Sequence, residues 1–526
     1  MPTKKQTVRH VFAGGWATDF GHIAEVEISS NGLVQVPFLT EALNVFYELD
    51  GAPHKMGGTS RTNTTAIADA GGTENVTGLF DYWKQGVGGS PSQKLVIHAG
   101  TNIEAADLDG DFSTELKTDA SDGAIPSYET FDDLLIISST GDTPISWDQA
   151  SVVDPLSASA PDFAFSQTHK NRLWAAGVNA TPSRLYYSAQ LDPTDWAGGG
   201  SGFIDIDPND GDQITGLASH KDNLWVFKGP HKGSIHRISG SAPTGGDSFA
   251  RINFVRGLGA VWHNTIFRFK DDIGFMWSDG TIHSLNATAA FGDYSESTLS
   301  RPIDSWLRDH TTSSSLKKVW AVTDAFRGYT LFTVPVDTAT TPNHHLLMDF
   351  RFSPPRWSHW NAFNSHALAS VVDGGVPKIF DGSDDGFVRR INISARSIDA
   401  TTGYVGRFDT PNFHYGDAGQ MKVIERAALG IVPKGLYDIE FGWTRDSNPE
   451  QTFSQGQGGI GFLLDTDFLD TGVLGGSFYA DRFMSLEEGG EFRSVSYSAR
   501  NGSKDQDMEI HSITAKIGVG GDSWEN

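Results

Sequence analysis

The sequence predicts an all-β protein: a β-propeller of six to eight blades, seven favoured, with an N-terminal arm and a C-terminal β-sandwich. Three observations lead there. Glycine and aromatic residues are both abundant, near-copies of one short segment recur at blade-like spacing, and the last quarter of the chain alternates apolar with polar residues.

Of 526 residues, 59 are glycine, above the usual share of ~7%. There are also 33 Phe, 14 Trp and 12 Tyr. Many turn formers beside many aromatic anchors is the composition of short strands joined by tight loops. The chain has no cysteine, which excludes a disulfide framework, a thiolate nucleophile and a Cys-ligated metal. Its 40 Lys and Arg against 65 Asp and Glu leave a net charge of −25. That balance argues against a surface that grips duplex DNA, because such affinity comes from basic side chains neutralising phosphates. An acidic wall instead repels a polyanion at short range and lets it pass. The basic opening stretch lacks the apolar core of a secretory signal. No run approaches the ~18 apolar residues of a membrane helix. The expectation is a protein made in a cytoplasm, without membrane insertion.

The blades follow from repeats. His169-Lys170-Asn171-Arg172-Leu173-Trp174-Ala175 is matched by His220-Lys221-Asp222-Asn223-Leu224-Trp225-Val226, and more loosely by Lys270-Asp271-Asp272-Ile273-Gly274-Phe275-Met276. In each, a polar turn hands over to an apolar run, the pattern of a turn entering a buried strand. Relaxed to that pattern, the markers are Leu95, Leu134, Leu173, Leu224, Ile273, Val319 and Leu368, spaced by 39, 39, 51, 49, 46 and 49 residues. A four-stranded blade takes roughly 40–50 residues. The propeller is therefore placed at residues 67–396. Residues 1–66, which show no blade, are read as an arm or collar. Residues 397–526 are read as the sandwich, on strands such as Phe492–Ser498 and Met508–Ile517 that alternate with period two.

No catalytic residue is nominated and no cofactor is expected. Gly456-Gln457-Gly458-Gly459-Ile460-Gly461 spells G-x-G-x-x-G, but its polar flanks offer no strand before and no helix after, so it reads as an exposed loop. Asp107, Asp109 and Asp111 are weak calcium candidates: they resemble the opening of a calcium loop, yet Phe112 and Thr118 stand where an EF-hand needs Gly and Glu. The same applies to Asp205–Asp212 and Asp381–Gly386, where Asp and Asn serve equally as turn residues. Ser278-Asp279-Gly280-Thr281 faintly resembles a sialidase Asp box but does not recur. His344, His345 and His359 are read as turn and surface residues rather than ligands.

Three stretches resemble the tail nozzle or tail-stabilisation proteins (tail tubular protein B-like) of short-tailed bacteriophages. The first runs from Phe12-Ala13-Gly14-Gly15-Trp16 through Thr18-Asp19 to Ala42-Leu43-Asn44-Val45. The second is Leu185-Tyr186-Tyr187-Ser188, Asp192-Pro193-Thr194-Asp195-Trp196, Asp205, Gly211-Asp212-Gln213-Ile214-Thr215-Gly216-Leu217 and Leu224-Trp225-Val226-Phe227-Lys228. The third is Arg407 to Pro411, whose Arg departs from the pattern. The resemblance implies a virion structural protein of the tail hub. Its copies would form a ring, of six subunits, that extends the DNA-ejection channel below the adaptor. Expected partners are the chain itself, the portal-proximal adaptor, and tail fibres or spikes. Genomic DNA would pass in transit, without sequence-specific binding. The resemblance carries no catalytic residue, and Asp195, Trp196, Asp212 and Leu224 are read as turn and core formers. The alternative is a carbohydrate-binding or glycan-degrading propeller acting on host surface polysaccharide.

Overall fold

The computed structural model describes residues 4–20, 23–24, 33–69, 72–86, 89–286, 298–416, 418–435, 437–446, 448–456, 480–484 and 491–519. The chain divides into two compact units. One comprises Ser60–Leu346 and Phe363–Ile391; the other comprises Met1–Thr59, Leu347–Ala362 and Asn392–Asn526.

The first unit carries the first strands of all seven blades of a β-propeller. Blades one to four are four-stranded meanders that open with Val76–Lys84, Ser127–Phe131, Phe165–His169 and Gln213–His220. Among the described residues blade five has three strands, from Ile266–Phe269 to Ile282–Ser284. Blade six opens with Ala321–Asp324 and blade seven with Ser365–Asp373. These first strands lie side by side around an axis, and Ser365–Asp373 comes back beside Val76–Lys84 to close the ring. Blade seven takes its fourth strand, Gly58–Arg61, from the other end of the chain. That seam is held by Thr62 N–H donating to the Val388 carbonyl at 2.9 Å and Val388 N–H donating to Asn63 Oδ1 at 2.9 Å.

Second strands read as unbroken apolar runs because each faces two neighbours. Leu135 and Ile137 pack against blade one, with Tyr82, Val96 and Trp147 nearby, whereas Ile136 packs toward Phe163 and Leu173 of blade three. Trp174 and Ala176 face blade four, and Leu173 and Ala175 face blade two. Leu224 and Val226 face blade three, and Trp225 and Phe227 face blade five. A pleated strand turns successive side chains to opposite faces, and here both faces are buried.

The turn that precedes these strands is also repeated. Asp132-Asp133, Lys170-Asn171 and Lys221-Asp222 all have positive φ at both positions, between 44° and 63°. Such a pair makes the two-residue hairpin turn whose twist matches the strands. Trp174 Nε1–H donates to the His169 carbonyl at 3.2 Å, and Trp225 Nε1–H to the His220 carbonyl at 3.3 Å. The two closest sequence copies are thus the same hairpin built twice.

The markers slip at blade six. Leu95, Leu134, Leu173, Leu224 and Ile273 lie on second strands, but Val319 precedes a first strand and Leu368 lies on one. The cause is an insertion after blade five that holds two 3-10 turns, Arg301–Ile303 and Leu316–Lys318, and the helix Asp304–His310. It uses up a strand's length of sequence while preserving the spacing.

The second unit is a sandwich. Its first sheet runs Leu33–Val36, Lys4–Phe12, Ile510–Val519, Lys422–Ile431, Ala480–Met484. The second includes Asn412–Phe413, Val495–Asn501, Gly406–Asp409 and Glu41–Leu43, with Asp438–Arg445 also on Val495–Asn501. Rings from the two sheets meet: His10 lies 4.8 Å from Phe413 and 5.5 Å from Tyr497, and Phe12 lies 5.2 Å from Phe408. The arm expected over residues 1–66 is therefore not a separate element. Lys4–Phe12 pairs antiparallel with Ile510–Val519 from Lys4↔Val519 to Val11↔Ser512, and Gly58–Arg61 closes blade seven. Such partners, hundreds of residues away, leave no local trace in the sequence.

Candidate functional site

The residues of the central signature form one interlocked structure. Asp212 is buried, and its carboxylate accepts the backbone N–H groups of His231 at 2.9 Å, Lys232 at 2.8 Å and Gly233 at 2.7 Å. The Lys228 side chain is fully buried. Its ammonium donates to the carbonyls of Ile206 at 2.7 Å and Asp207 at 2.9 Å, to both Asp210 oxygens at 2.8 Å, and to Ser183 Oγ at 3.3 Å. Five oxygens thus surround an internal cation. The acidic loop Asp205–Asp212, which could be mistaken for a calcium loop, is folded around a lysine. Asp195 accepts from Ala197 N–H and Gly198 N–H, Trp196 Nε1–H donates to the Pro193 carbonyl at 2.9 Å, and Leu224 is wholly buried.

The three calcium candidates point to three different partners. Asp107 pairs with Lys94 at 2.7 Å and Asp109 with Arg390 at 2.6 Å. Asp111 accepts from the backbone N–H of Thr64 at 2.7 Å and of Thr65 at 2.9 Å, and from both hydroxyls; these hydrogen bonds hold its carboxyl below the usual range. In the third acidic loop, Asp381 accepts from Ser365 Oγ at 2.9 Å, and Ser365 also bonds His345 Nε2 at 2.8 Å. Asp279 caps Thr281 and meets Arg308 at 3.2 Å. His359 is bound by Glu41 and stacks on Trp16 with ring centres 4.4 Å apart. Among the described residues no three His, Asp or Glu side chains are grouped to hold a metal ion. Residues 457–461 of the Gly-rich loop lie outside the described residues.

A further candidate is a cavity of about 320 Å³ among the first strands of the propeller. It is lined by first strands or the residues just before them in blades one, two, five, six and seven. Phe80 and Tyr128 stack there, with ring centres 5.3 Å apart and planes within 11°. His263 lies flat on Phe165, and its Nδ1 accepts Leu217 N–H at 3.3 Å. Burial lowers the imidazole to about 4, so the ring is neutral at physiological pH and carries its proton on Nε2. Asp81 accepts from Gln93 Nε2–H at 2.8 Å, Val372 N–H at 2.9 Å and Trp83 Nε1–H at 3.0 Å. Burial nevertheless raises its carboxyl above the usual range. Ser127 Oγ, Tyr128 OH and Trp320 Nε1 are sealed from solvent and have no hydrogen-bond partner among the described residues. Asp81 is the one carboxylate in the lining. None of these residues stands out in the sequence, because the site is assembled from five separate blades.

No protein-family model matches the chain, and no curated protein matches it either. Among solved structures the chain is similar to BamB from Moraxella catarrhalis, at 11% identity and a TM-score of 0.37, covering 67% of this chain and 94% of that one. It is similar to the computationally designed Ika8 protein at 12% identity and a TM-score of 0.35, covering 64% and 100%. It is also similar to Chaetomium thermophilum Raptor, at 10% identity and a TM-score of 0.40, covering 64% and 29%. The chain's own strand order, seven blades whose first strands close in a ring, is what makes it a β-propeller.

Proposed function

We propose that this chain is a structural subunit of a bacteriophage tail nozzle, a ring that extends the DNA-ejection channel. The observation that carries the reading is the ordered signature from Leu185 to Lys228, which resembles that of short-tailed phage nozzle proteins. Two further features support it. The outermost strands of three consecutive blades expose apolar side chains, namely Val152 and Val153, Phe203 and Ile252. A rim of this kind suits a neighbouring copy in a closed ring. The net charge of −25 suits a wall that DNA must slide along without adhering. The adaptor would contact one end of the ring and fibres or spikes its flank. The subunit would be made in the host bacterial cytoplasm and reside in the virion tail.

The test is quantitative mass spectrometry of purified particles. We expect about six copies per virion, the stoichiometry of a small closed ring. Several dozen copies would move the chain to a tube or capsid decoration. Absence from particles would overturn the proposal.

A further inference from the structure

We infer that the cleft between blade five and the inserted helix is a binding site for one small oxyanion, a carboxylate or phosphate group. The inference does not rest on the nozzle reading, and either can fail without the other.

The cleft holds about 440 Å³, within the range of small-ligand sites. One wall is the turn Trp277 to Thr281, between the second and third strands of blade five. The facing wall is the 3-10 turn Arg301–Ile303 with the helix Asp304–His310. Arg301, Asp304 and Arg308 follow one another at intervals of three and four residues, which puts them on one face, while Ile303 and Leu307 are fully buried on another. The two walls touch at their base, where a Cβ on Gly280 would lie 2.7 Å from Thr311 Oγ1. Trp277 is fixed by the benzene edge of its indole: a Cβ on Gly233 would lie 2.6 Å from Cη2, and one on Gly229 or Gly259 3.3 Å from Cζ3. The pyrrole edge lies on the opposite side, and its Nε1–H reaches solvent with no acceptor among the described residues.

The side chains of this cleft that lack a partner are donors. Arg301 is exposed and makes no hydrogen bond or ion pair among the described residues. Arg308 gives its Nε–H to Asp279 at 3.2 Å, and its two terminal nitrogens have no partner among the described residues. The carboxylates, by contrast, are occupied. Asp279 accepts the Thr281 N–H at 3.1 Å and the Thr281 hydroxyl at 2.5 Å besides Arg308. Burial opposes its charge, but the bonds from Thr281 and Arg308 hold its carboxyl below the usual range. Asp304 accepts the Ser300 hydroxyl at 2.6 Å. A guanidinium is always charged, so Arg301 without a counter-ion calls for an acceptor that carries charge itself. Its planar fork matches the paired oxygens of a carboxylate or phosphate, and the free nitrogens of Arg308 and the Trp277 N–H add donors to the same space. A neutral ligand would leave Arg301 unmatched, and a cation would be repelled by it.

The experiment is ligand-observed NMR on the full chain at fixed ionic strength. Sodium benzoate is read by saturation transfer and inorganic phosphate by broadening of its phosphorus line, with benzamide as the neutral comparison. The variants are Arg301→Gln and Trp277→Phe, and the control is Lys94→Gln, which removes a cation from blade one. Near-ultraviolet circular dichroism confirms that each folds. We expect benzoate or phosphate to bind the wild type, and more tightly than benzamide. Affinity should fall about tenfold in Arg301→Gln and about threefold in Trp277→Phe, and stay unchanged in Lys94→Gln. Tighter binding of benzoate than of phosphate assigns the site to carboxylates, and the reverse order assigns it to phosphates. No binding of either ion, or binding no tighter than that of benzamide, would overturn the inference. Equal affinity in the wild type and either folded variant would overturn it too, as would an equal loss in Lys94→Gln, the mark of unspecific charge.

Discussion

At the scale of single residues, the same residue types do opposite work according to what surrounds them. Lys228 has lost all contact with solvent and its charge is matched by Asp210 and two carbonyls. Lys94 pairs with Asp107 at a similar distance, but Asp107 is largely exposed. An exposed pair contributes little, because water screens it and both side chains lose entropy. Removing one partner of a buried pair strands the other. Lys228→Met should therefore cost about 3 kcal/mol of unfolding free energy, whereas Asp107→Ala should change it by less than about 0.5 kcal/mol. Urea titration monitored by tryptophan fluorescence separates the two. Equal effects would mean that the lysine-centred loop is not a structural keystone.

At the scale of elements, the hairpin between first and second strands is the unit that the sequence repeats. Its turn demands positive φ at two consecutive positions, which Asn and Asp tolerate and β-branched residues do not. Asn171, at φ 56°, is such a position. Asn171→Gly should be close to neutral, and Asn171→Val should destabilise by about 1–2 kcal/mol, read as a shift in thermal midpoint. These hairpins are also what made the propeller legible. Where turn chemistry and a doubly buried strand coincide, as at Lys170–Ala176 and Lys221–Phe227, local sequence is sufficient. The marker slip at Val319 shows the limit, because spacing cannot distinguish a helical insertion from a strand. The strands Lys4–Phe12 and Gly58–Arg61 are illegible for a different reason: their partners, Ile510–Val519 and Val388–Ile393, lie hundreds of residues away. The cavity is illegible on the same ground, since Phe80, Tyr128, His263 and Trp320 share only three-dimensional space.

At the scale of the whole molecule, buried histidines recur in both units. His10, His98, His236 and His283 are at most 4% exposed, and burial lowers each to about 4 from an ordinary value near 6.5. Hydroxyls and a carbonyl hold them as neutral rings: Tyr415 and Ile513 for His10, Thr77 for His98, Ser234 for His236 and Thr281 for His283. Between pH 6.5 and 4 the unfolded chain binds protons that the folded chain refuses. Stability is thus complete above pH 6.5 and is lost as pH falls toward 4, by up to about 3 kcal/mol per ring. Glu509, depressed to about 2 by His511 and Lys434 against the opposing effect of burial, loses its contribution only below the ordinary carboxylate range. The urea midpoint should drop markedly from pH 7.5 to pH 5.0. A flat profile over that interval would show that the rings titrate normally.

The seam of blade seven has a consequence for biogenesis. The strand Gly58–Arg61 leaves the ribosome early, and its partner Val388–Ile393 emerges only after some three hundred further residues have been made. Until then the growing chain carries an open sheet edge, the kind of surface that recruits chaperones or pairs with a stranger. Any product terminated before that partner strand can never seal. Closure therefore acts as a completeness check on the propeller, which only a chain translated through to the last blade can form.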